Sequence, residues 1–407
     1  MRIFEENHEY TCTRCEKYSS KLDISRSFMR IFAIEKKQRT MKILLLGEYS
    51  NVHSTLANAL RRLGHEVCLV SNGDDWKGYS ADIPLVRRSG RWGSIIYLIK
   101  VLRLLPKLRG YDVVQLINPV HFVDLKAERG IRIYNYLRRH NKKIFLGAFG
   151  TDYYYVYDSA VRRTLRYCDF YTPTREIKHE WNTINVNDWL HTYKKEACIH
   201  VAETCDGIIS GLYEYDVAYR PYFPDKTTFI PFPIDMNAKK VTTNKGEKIR
   251  FFIGIQRHRS ALKGTDVMLR ALERIVADYP DRAEMIKAES VPFAQYKEML
   301  NSSDVLLDQL YSYTPAMNAL QAMSQGLIVV SGGEEENYEI LGEEELRPII
   351  NVQPDEEDVY KQLEELVLHP ERIRPLKQDS ITYIEHHHES MKVARQYLAV
   401  WSNEKTT

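Results

Sequence analysis

A short apolar strand, a polar loop, a helix and a second apolar strand follow one another between Asp304 and Gly333. The helix is predicted to cover Ala316 to Gln325, with Thr314 as a candidate N-cap and Pro315 as a candidate first helical residue. A helix that begins after such a loop aims free backbone N–H groups at whatever occupies the loop. The segment therefore predicts an anion-binding site.

The same alternation of strands and helices runs through most of the chain. Strands are predicted at 42–46, 66–70, 112–117, 143–147, 168–171, 206–210, 250–254, 283–287, 305–307, 327–330 and 348–352. Helices are predicted at 53–63, 266–279, 293–300, 316–325, 356–366 and 390–401. Strands that alternate with helices form parallel sheets, so the sequence predicts an α/β protein built from doubly wound, Rossmann-like domains.

The length of 407 residues allows two hydrophobic cores. Residues 1–40 are polar and charged, and we expect them to be an extension outside the fold, with Met41 as a candidate natural start. We expect a first domain over 41–235 and a second over 236–385. The boundary follows the stiff segment Pro231 to Asp235, and we expect residues 386–407 to form a helix that crosses back to the first domain.

The overall charge says little about partners. A formal net charge of +2 creates no field that would favour nucleic acid. The six cysteines are scattered in a long chain without a signal peptide, which predicts reduced thiols in a cytoplasmic enzyme. No run approaches the roughly 20 apolar residues that a membrane span needs.

Two patterns could suggest a metal, and neither is convincing. Cys12 and Cys15 have the spacing of half a zinc site, but no second pair follows at the usual distance. The run His386 to His388 is better interpreted as a surface or interdomain segment, because consecutive residues on a helix do not share a face. We expect no metal site.

The segment around Leu320, with its pattern Leu-x-Ala-Met-x-x-Gly before an apolar strand, resembles the nucleotide-sugar half of retaining GT-B glycosyltransferases of family 4. The resemblance covers residues 41–401, and it is weaker in the first half. It implies a GT-B fold, with two Rossmann-like domains facing a central cleft. It also implies a nucleoside-diphosphate sugar as donor substrate, a hydroxyl acceptor on a glycan or lipid-linked glycan, and no cofactor.

The resemblance assigns the donor's diphosphate to a basic loop after strand 250–254. The family's Gly-Arg…Lys-Gly pattern matches Gly254, Lys263 and Gly264, and either Arg257 or Arg259 takes the part of the arginine. Our choice is Arg257. Such cations would neutralise the charge that grows on the leaving diphosphate. The alternative is a solvated basic loop.

The polar loop departs from the family at two positions. Tyr313 and Gln321 stand where members usually carry two glutamates eight positions apart. Gln321 can still accept a hydrogen bond from ribose through its amide oxygen. The remaining donor-site candidates are of two kinds. Those that leave room for phosphate are Ser312, Thr314, Pro315 and Asn318, and those that follow the next strand are Glu334 and Glu335.

In the first half, the loop after the first strand is expected to face acceptor and sugar, although an ordinary turn is the alternative. Its candidates are Gly47, Ser50 and Asn51. The segment 148–152 resembles the family's His-Gly-Ser-Asp, with Phe149 in the place of the histidine. The candidates here are Gly150, Thr151 and Asp152, and Asp152 is either a catalytic cleft residue or a helix cap.

The segment 87–109 is basic, flanked by aromatic residues and apolar over several turns. Such a helix could rest on an anionic bilayer, which would place the enzyme at the inner face of the membrane. The alternative is a helix that packs on the sheet through Ile95, Ile99 and Leu102.

Three functions fit these observations. The first is a glycosyltransferase that moves a sugar from a UDP- or GDP-sugar with retention, without a metal and without a dedicated base. The second is a nucleotide-sugar epimerase, which needs carboxylates and a histidine in the cleft. The third is a non-catalytic nucleotide-sugar-binding scaffold, and the missing glutamates and histidine support it.

Overall fold

The computed structural model describes residues 40–74, 77–174, 180–236 and 248–402. The expected extension, Cys12 and Cys15 lie outside this part of the chain, apart from Thr40. The remainder forms two lobes, each built on its own parallel sheet with helices on both faces. The predicted α/β architecture is therefore confirmed.

The N-terminal lobe holds a seven-stranded parallel sheet in the order β3-β2-β1-β4-β5-β6-β7. Its strands are β1 Lys42–Leu46, β2 Glu66–Ser71, β3 Ile83–Pro84, β4 Val113–Leu116, β5 Lys143–Ala148, β6 Gly207–Ser210 and β7 Thr227–Phe229. Its helices are α1 Val52–Arg62, α2 Gly90–Leu104, α3 Ala127–His140, α4 Tyr153–Tyr157, α5 Glu180–Leu190, α6 Tyr193–Thr204 and α7 Tyr213–Tyr219. Short helical turns at Leu105–Lys107 and Asp158–Arg162 follow α2 and α4.

The C-terminal lobe holds a five-stranded parallel sheet in the order β12-β11-β10-β8-β9. Its strands are β8 Ile249–Ile255, β9 Ala283–Glu289, β10 Val305–Leu307, β11 Ile328–Ser331 and β12 Ile350–Asn351. The helices of this half of the chain are α8 Ser260–Lys263, α9 Thr265–Asp278, α10 Phe293–Asn301, α11 Met317–Ser324, α12 Glu335–Leu341, α13 Glu356–Leu368, α14 Ile373–His387 and α15 Ser390–Ser402. Two further helical turns are Arg257–Arg259 and Pro370–Arg372.

The central strands are apolar along their whole length because helices cover both faces of each sheet. Residues 43–46 of β1 and 305–306 of β10 have no exposed surface. Positive-φ glycines end the preceding helices where the chain must turn sharply, as at Gly64 after α1, with φ +87°.

The predicted strand at 168–171 is wrong. Cys168 and Tyr171 instead close a tight turn, in which each backbone N–H donates to the carbonyl of the other at 3.1 and 3.3 Å. Three of its four side chains, those of Cys168, Phe170 and Tyr171, enter the core of the N-terminal lobe. A short, mostly apolar segment does not by itself distinguish a strand from a buried turn.

The chain crosses between the lobes twice, and the two crossings lie side by side. The N–H of Ile234 donates to the carbonyl of His388 at 2.7 Å, and the N–H of Ser390 donates back to Ile234 at 3.0 Å. His388 is buried, and its Nδ1 lies 3.0 Å from the carbonyl of Phe232. The histidine run is thus part of a crossing between the lobes.

After the second crossing, α15 packs against α1 of the N-terminal lobe. The carbonyl of Trp401 accepts a hydrogen bond from Lys143 Nζ at 2.7 Å, and its ring lies 6.4 Å from that of Phe145. One hydrophobic cluster runs through both lobes and includes Ile43, Phe252 and Trp401. No described helix has the length and apolar character needed to cross a bilayer.

Candidate functional site

The basic loop and the polar loop of the C-terminal lobe are in direct contact. The carbonyl of Lys263 accepts a hydrogen bond from the N–H of Leu310 at 2.8 Å. Gly264 has φ +74°, and a Cβ there would lie 2.6 Å from Leu310 and 2.7 Å from the ring of Tyr311. Only glycine therefore allows this close approach. The two segments that the sequence assigned to a diphosphate form one continuous surface.

Lys263 is not solvated in the way that the alternative of a solvated basic loop would require. It ends the short helix α8 and is half-buried. Burial lowers the pKa of its ammonium group, and the positive charges of Arg259 and Lys77 lower this pKa further, whereas Asp308 acts in the opposite direction. Lys77 belongs to the N-terminal lobe, so its charge acts on Lys263 from the other lobe.

The two candidate arginines have different surroundings. Arg257 is exposed, and its guanidinium pairs with Glu289 at the end of β9. Arg259 lies close enough to Lys263 to lower the pKa of its ammonium group. Of the two arginines, Arg259 is therefore the one whose charge acts on Lys263. Gly254, near the end of β8, packs under the ring of Tyr296, which lies 2.9 Å from where a Cβ would stand.

The polar loop presents backbone N–H groups, but a carboxylate of the protein already occupies two of them. Oε1 of Glu214, in α7 of the N-terminal lobe, accepts from the N–H of Tyr313 at 2.7 Å and of Thr314 at 3.2 Å. Its Oε2 accepts from the hydroxyl of Thr314. Burial raises the pKa of this carboxyl. These two N–H groups precede helix α11, and a carboxylate of the protein itself binds them.

Thr314 and Pro315 do not begin the helix as predicted. Helix α11 starts at Met317, and Ala316 is its N-cap, without a side-chain hydrogen bond. Thr314 lies two residues before that N-cap, and its hydroxyl donates to Glu214. Pro315 therefore lies in the buried loop before the helix.

The ring of Tyr313 leaves the C-terminal lobe and enters the core of the N-terminal lobe. Its side chain is 1% exposed. It stacks on Tyr213 with ring centroids 5.9 Å apart, the guanidinium of Arg166 lies 4.8 Å from its centroid, and its hydroxyl accepts from the N–H of Arg166 at 2.6 Å. This residue anchors the two lobes to each other and is not available to a donor.

Polar side chains line the carboxyl end of β10 beneath the polar loop. Asp308 accepts a hydrogen bond on Oδ1 from the amide of Asn318 at 3.0 Å, and Asn318 accepts from the hydroxyl of Tyr296 at 3.2 Å. Oδ2 of Asp308 is buried and has no hydrogen-bond partner among the described residues. The amide nitrogen of Gln321 donates to Ser324 at 3.1 Å. The buried Ser312 lies against Gly332, where a Cβ would collide with the Ser312 carbonyl.

The two glutamates after β11 face different surroundings. Glu334 is buried, and it accepts from Tyr167 and Arg166 of the N-terminal lobe and from Asn351 and Gln353 of its own lobe. Burial raises the pKa of this carboxyl, but the hydrogen bonds outweigh it and the pKa is lowered. Glu335 is exposed and pairs with Arg347. Neither carboxylate is free in this structure: Glu334 is bound between the two lobes, and Glu335 forms an ion pair on the surface.

On the opposite wall, the loop after β1 adopts strained backbone conformations. Ser50 and Asn51 have φ +50° and +74°. The N–H of Ser50 donates to Asp74 at 2.8 Å, and Lys77 binds both Ser50 Oγ at 3.0 Å and Asp74 at 2.6 Å. These contacts fix the loop next to Lys77.

A cavity of about 320 Å³ opens at the carboxyl ends of β1, β2 and β4, and its lining includes Gly47, Glu48, Asp74, Tyr97 and Asp124. Gly47 has φ +86°, and a Cβ there would collide with Ile117. The carboxylate of Glu48 accepts from the N–H groups of His53 and Ser54 at the start of α1, at 3.2 and 2.8 Å. Burial raises the pKa of Glu48 to about 8.

Asp152 is a helix cap, which corrects its assignment as a catalytic residue. It is fully buried, its Oδ1 accepts from the N–H of Tyr155 at 3.0 Å, and its Oδ2 accepts from the hydroxyl of Tyr219 at 2.6 Å. Gly150 packs against the ring of Tyr49, and the carbonyl of Thr151 accepts from Asn118 at 3.3 Å. Both residues lie near the loop after β1.

Sequence reasoning missed four residues that shape this site: Glu214, Arg166, Lys77 and Asp308. Glu214 and Asp308 follow the carboxyl ends of β6 and β10, which is where cleft residues of parallel sheets lie. That position was the available signal for both. Arg166 and Lys77 lie in irregular loops, and no local pattern marks them.

No protein-family model matches the chain, and no curated protein matches its sequence. Solved structures do match. Anabaena HepE, in complex with UDP and glucose, is similar with a TM-score of 0.56 and 11% identity over 89% of this chain and 100% of that chain. Sucrose-phosphate synthase of Thermosynechococcus elongatus is similar with a TM-score of 0.54 and 12% identity over 89% of this chain and 98% of that chain.

A Listeria monocytogenes structure, solved as that of a candidate UDP-N-acetylglucosamine 2-epimerase, gives a TM-score of 0.52 and 12% identity over 90% of this chain and 98% of that chain. At such low identity these similarities establish the fold alone. They confirm the GT-B fold, with two parallel-sheet α/β domains.

Proposed function

We propose that the protein is a glycosyltransferase that moves a sugar from a nucleoside-diphosphate sugar, UDP- or GDP-linked, to a hydroxyl acceptor with retention. One observation carries the proposal. The backbone carbonyl of the half-buried Lys263 accepts a hydrogen bond from the polar loop, which joins the basic loop to the carboxyl end of β10. The cations of the basic loop, Lys263 and Arg259, therefore lie at the carboxyl ends of the strands, where α/β folds bind ligands.

In this proposal the diphosphate lies against Lys263 and Arg259. As the bond between sugar and phosphate breaks, negative charge grows on the leaving group, and fixed cations stabilise that transition state more than the ground state. Gln321 contacts the ribose, and Asn318 and Ser312 line the phosphate side. The leaving phosphate serves as the base, so the reaction needs no metal and no separate carboxylate.

The acceptor belongs to the N-terminal lobe. The cavity beside Glu48 and Asp74 has polar walls, and Asp74 is bonded to Lys77. An acceptor hydroxyl that enters through this cavity reaches the donor near Lys77. The hydroxyl groups of a glycan or a lipid-linked glycan could form hydrogen bonds with the polar lining of this cavity.

A non-catalytic scaffold is the second candidate, and a specific contact favours it. Glu214 holds the two N–H groups of the polar loop that an anionic ligand would use. A protein whose loop is filled in this way could bind the nucleotide through Lys263 alone without turning it over. The epimerase is a third candidate, since the carboxylates and the histidine that it would need are offered by Glu48, Asp74 and His121 in the cavity lining.

Incubation with a panel of UDP- and GDP-sugars, with and without glycan acceptors, separates these functions. Release of nucleotide only with acceptor supports the transferase. Conversion of the sugar without acceptor supports the epimerase. Tight binding of nucleoside diphosphate without turnover supports the scaffold and overturns the proposed activity.

A further inference from the structure

Helix α2 is apolar on two faces, and only one of them is covered. Its inner face packs into the N-terminal lobe through Gly93, Tyr97, Val101 and Leu104. The residues named as its packing face in the sequence analysis point outward, which corrects that expectation. The outer face consists of Trp92, Ile95, Ile96, Ile99 and Leu102, which are 79%, 48%, 50%, 43% and 51% exposed.

The outer face is larger than isolated surface residues can explain. Residues 92, 95, 96, 99 and 102 recur at helical spacing, so their side chains form one continuous apolar stripe. Soluble proteins rarely expose contiguous apolar patches of this kind without a binding role. The described chain places no other element over it, because these five side chains remain exposed in the folded protein.

The charges around the stripe identify its partner. Residues 85–110 contain no Asp or Glu and hold seven basic residues, at 87, 88, 91, 100, 103, 107 and 109. The whole chain has a formal net charge of only +2, so positive charge is concentrated here. Arg88, Arg91, Lys100 and Arg103 are exposed. Apolar insertion combined with a basic rim is the pattern of a helix that lies in the plane of an anionic bilayer.

We propose that the outer face of α2 docks onto a bilayer that contains anionic phospholipid, with Trp92 and the isoleucines at the level of the headgroups. The inner face of the same helix borders the acceptor cavity, since Tyr97 lines it and its hydroxyl accepts from the N–H of Asp124 at 2.9 Å. The membrane surface and the cavity are thus one helix apart, about 10 Å. A lipid-linked acceptor could reach the cavity without leaving its membrane, and this last step rests on the proposed function.

The test is sedimentation of the full chain with vesicles of phosphatidylcholine alone or mixed with phosphatidylglycerol. We expect binding to the mixed vesicles, weak binding to phosphatidylcholine, and a loss of binding as salt rises. The variant Ile96→Gln/Ile99→Gln and the variant Lys100→Gln/Arg103→Gln should each weaken binding about tenfold or more. The blue shift of tryptophan emission on binding should be strongly reduced in Trp92→Phe.

The matched control is Lys361→Gln/Leu368→Gln on α13, which removes one exposed basic and one exposed apolar residue from the other lobe. It should bind vesicles as the unmodified protein does. No binding to anionic vesicles, or equal binding by the α2 variants, would overturn the proposal. So would a dimer that the Ile96→Gln/Ile99→Gln variant dissociates, because the stripe would then be covered by a second copy.

These readouts need no sugar substrate, so they are independent of the proposed activity. Turnover on a water-soluble acceptor should be unchanged in the α2 variants. A vesicle-binding protein without transferase activity would preserve this inference and remove the proposed function.

Discussion

The carboxylate of Glu214, on the N-terminal lobe, accepts a hydrogen bond at 2.7 Å from the backbone N–H of Tyr313, on the C-terminal lobe. The ring of Tyr313 also enters the core of the N-terminal lobe. The N-terminal lobe therefore holds this loop by a backbone contact and by a side-chain contact. Its conformation and the closure of the lobes depend on each other.

Removal of the Glu214 side chain should destabilise the protein. Glu214→Ala leaves two buried N–H groups without an acceptor, at a cost of about 1 to 3 kcal/mol each. Glu214→Gln keeps an amide oxygen for them and should lose less. Urea unfolding of the two variants checks the order. Equal stability of Ala and Gln variants would show that the N–H groups find another partner.

The Tyr313 anchor can be separated into its ring and its hydroxyl. Tyr313→Ala removes a fully buried aromatic side chain and should cost about 3 to 5 kcal/mol. Tyr313→Phe only removes the acceptor for the N–H of Arg166 and should cost about 1 to 3 kcal/mol. Thermal unfolding of both variants is the measurement. A neutral Ala variant would contradict the packing described for this ring.

The two arginines of the basic loop form a matched pair for a test of donor binding. Arg259→Ala should lower turnover, and the affinity for UDP or GDP, by about one to two decades, because a charged hydrogen bond to phosphate contributes about 1.5 to 3 kcal/mol. Arg257→Ala should change either quantity by about threefold or less, because that guanidinium is engaged by Glu289. The reverse order, by calorimetry and nucleotide release, would restore Arg257 as the diphosphate ligand.

Lys263 should set the alkaline limit of activity. Lys263→Ala should reduce turnover by about one to two decades. Because burial lowers the pKa of Lys263, the free enzyme loses this positive charge at a lower pH than an ordinary lysine would, and kcat/KM should fall there.

Lys263→Arg should keep part of the activity and move that fall to higher pH, since arginine stays charged. Lys297→Arg, on α10, is the control and should leave the profile unchanged. If the fall of kcat/KM at high pH were identical in Lys263→Arg and in the unmodified protein, the titrating group would be a residue other than Lys263.

Glu48 should make the fold less stable as pH rises. Its pKa is about 8 in the folded protein, against 4.5 for an ordinary glutamate, so across this window the unfolded chain has lost a proton that the folded protein retains. The free energy of unfolding should therefore decrease between about pH 5 and about pH 8, by an amount on the order of 1 to 4 kcal/mol.

Glu48→Gln should be less stable at every pH because its amide offers one acceptor to two N–H groups, yet its stability should vary less over this window. Glu66→Gln, at an exposed position of β2, should keep the original dependence. Denaturant unfolding at several pH values gives both slopes. A Glu48→Gln slope equal to that of the unmodified protein would place the titration elsewhere.

The architecture was predictable from the sequence because the signals that define it are local. Apolar runs mark the strands β1 and β10, and Gly47 follows β1 directly. Helical periodicity after Gly264 marks α9. The contact between the Lys263 turn and the polar loop also follows from the fold, since both lie after neighbouring strands, β8 and β10.

The occupants of the site were not predictable, because they come from the other lobe. Nothing near Tyr313 shows that Glu214, 99 positions earlier, fills the loop. The roles of Asp152 and of the outward face of α2 depended on which side of an element the core lies, and a helix with apolar residues on two faces gives no such information.

The paired crossings at Ile234 and Ser390 have a topological consequence. The C-terminal lobe enters and leaves through two backbone segments that are hydrogen-bonded to each other, so it is in effect a single insertion into the N-terminal lobe. Any rotation of one lobe about the other must bend both segments at the same point. Such a rotation would also have to break the contacts that Glu214 and Arg166 make with Tyr313.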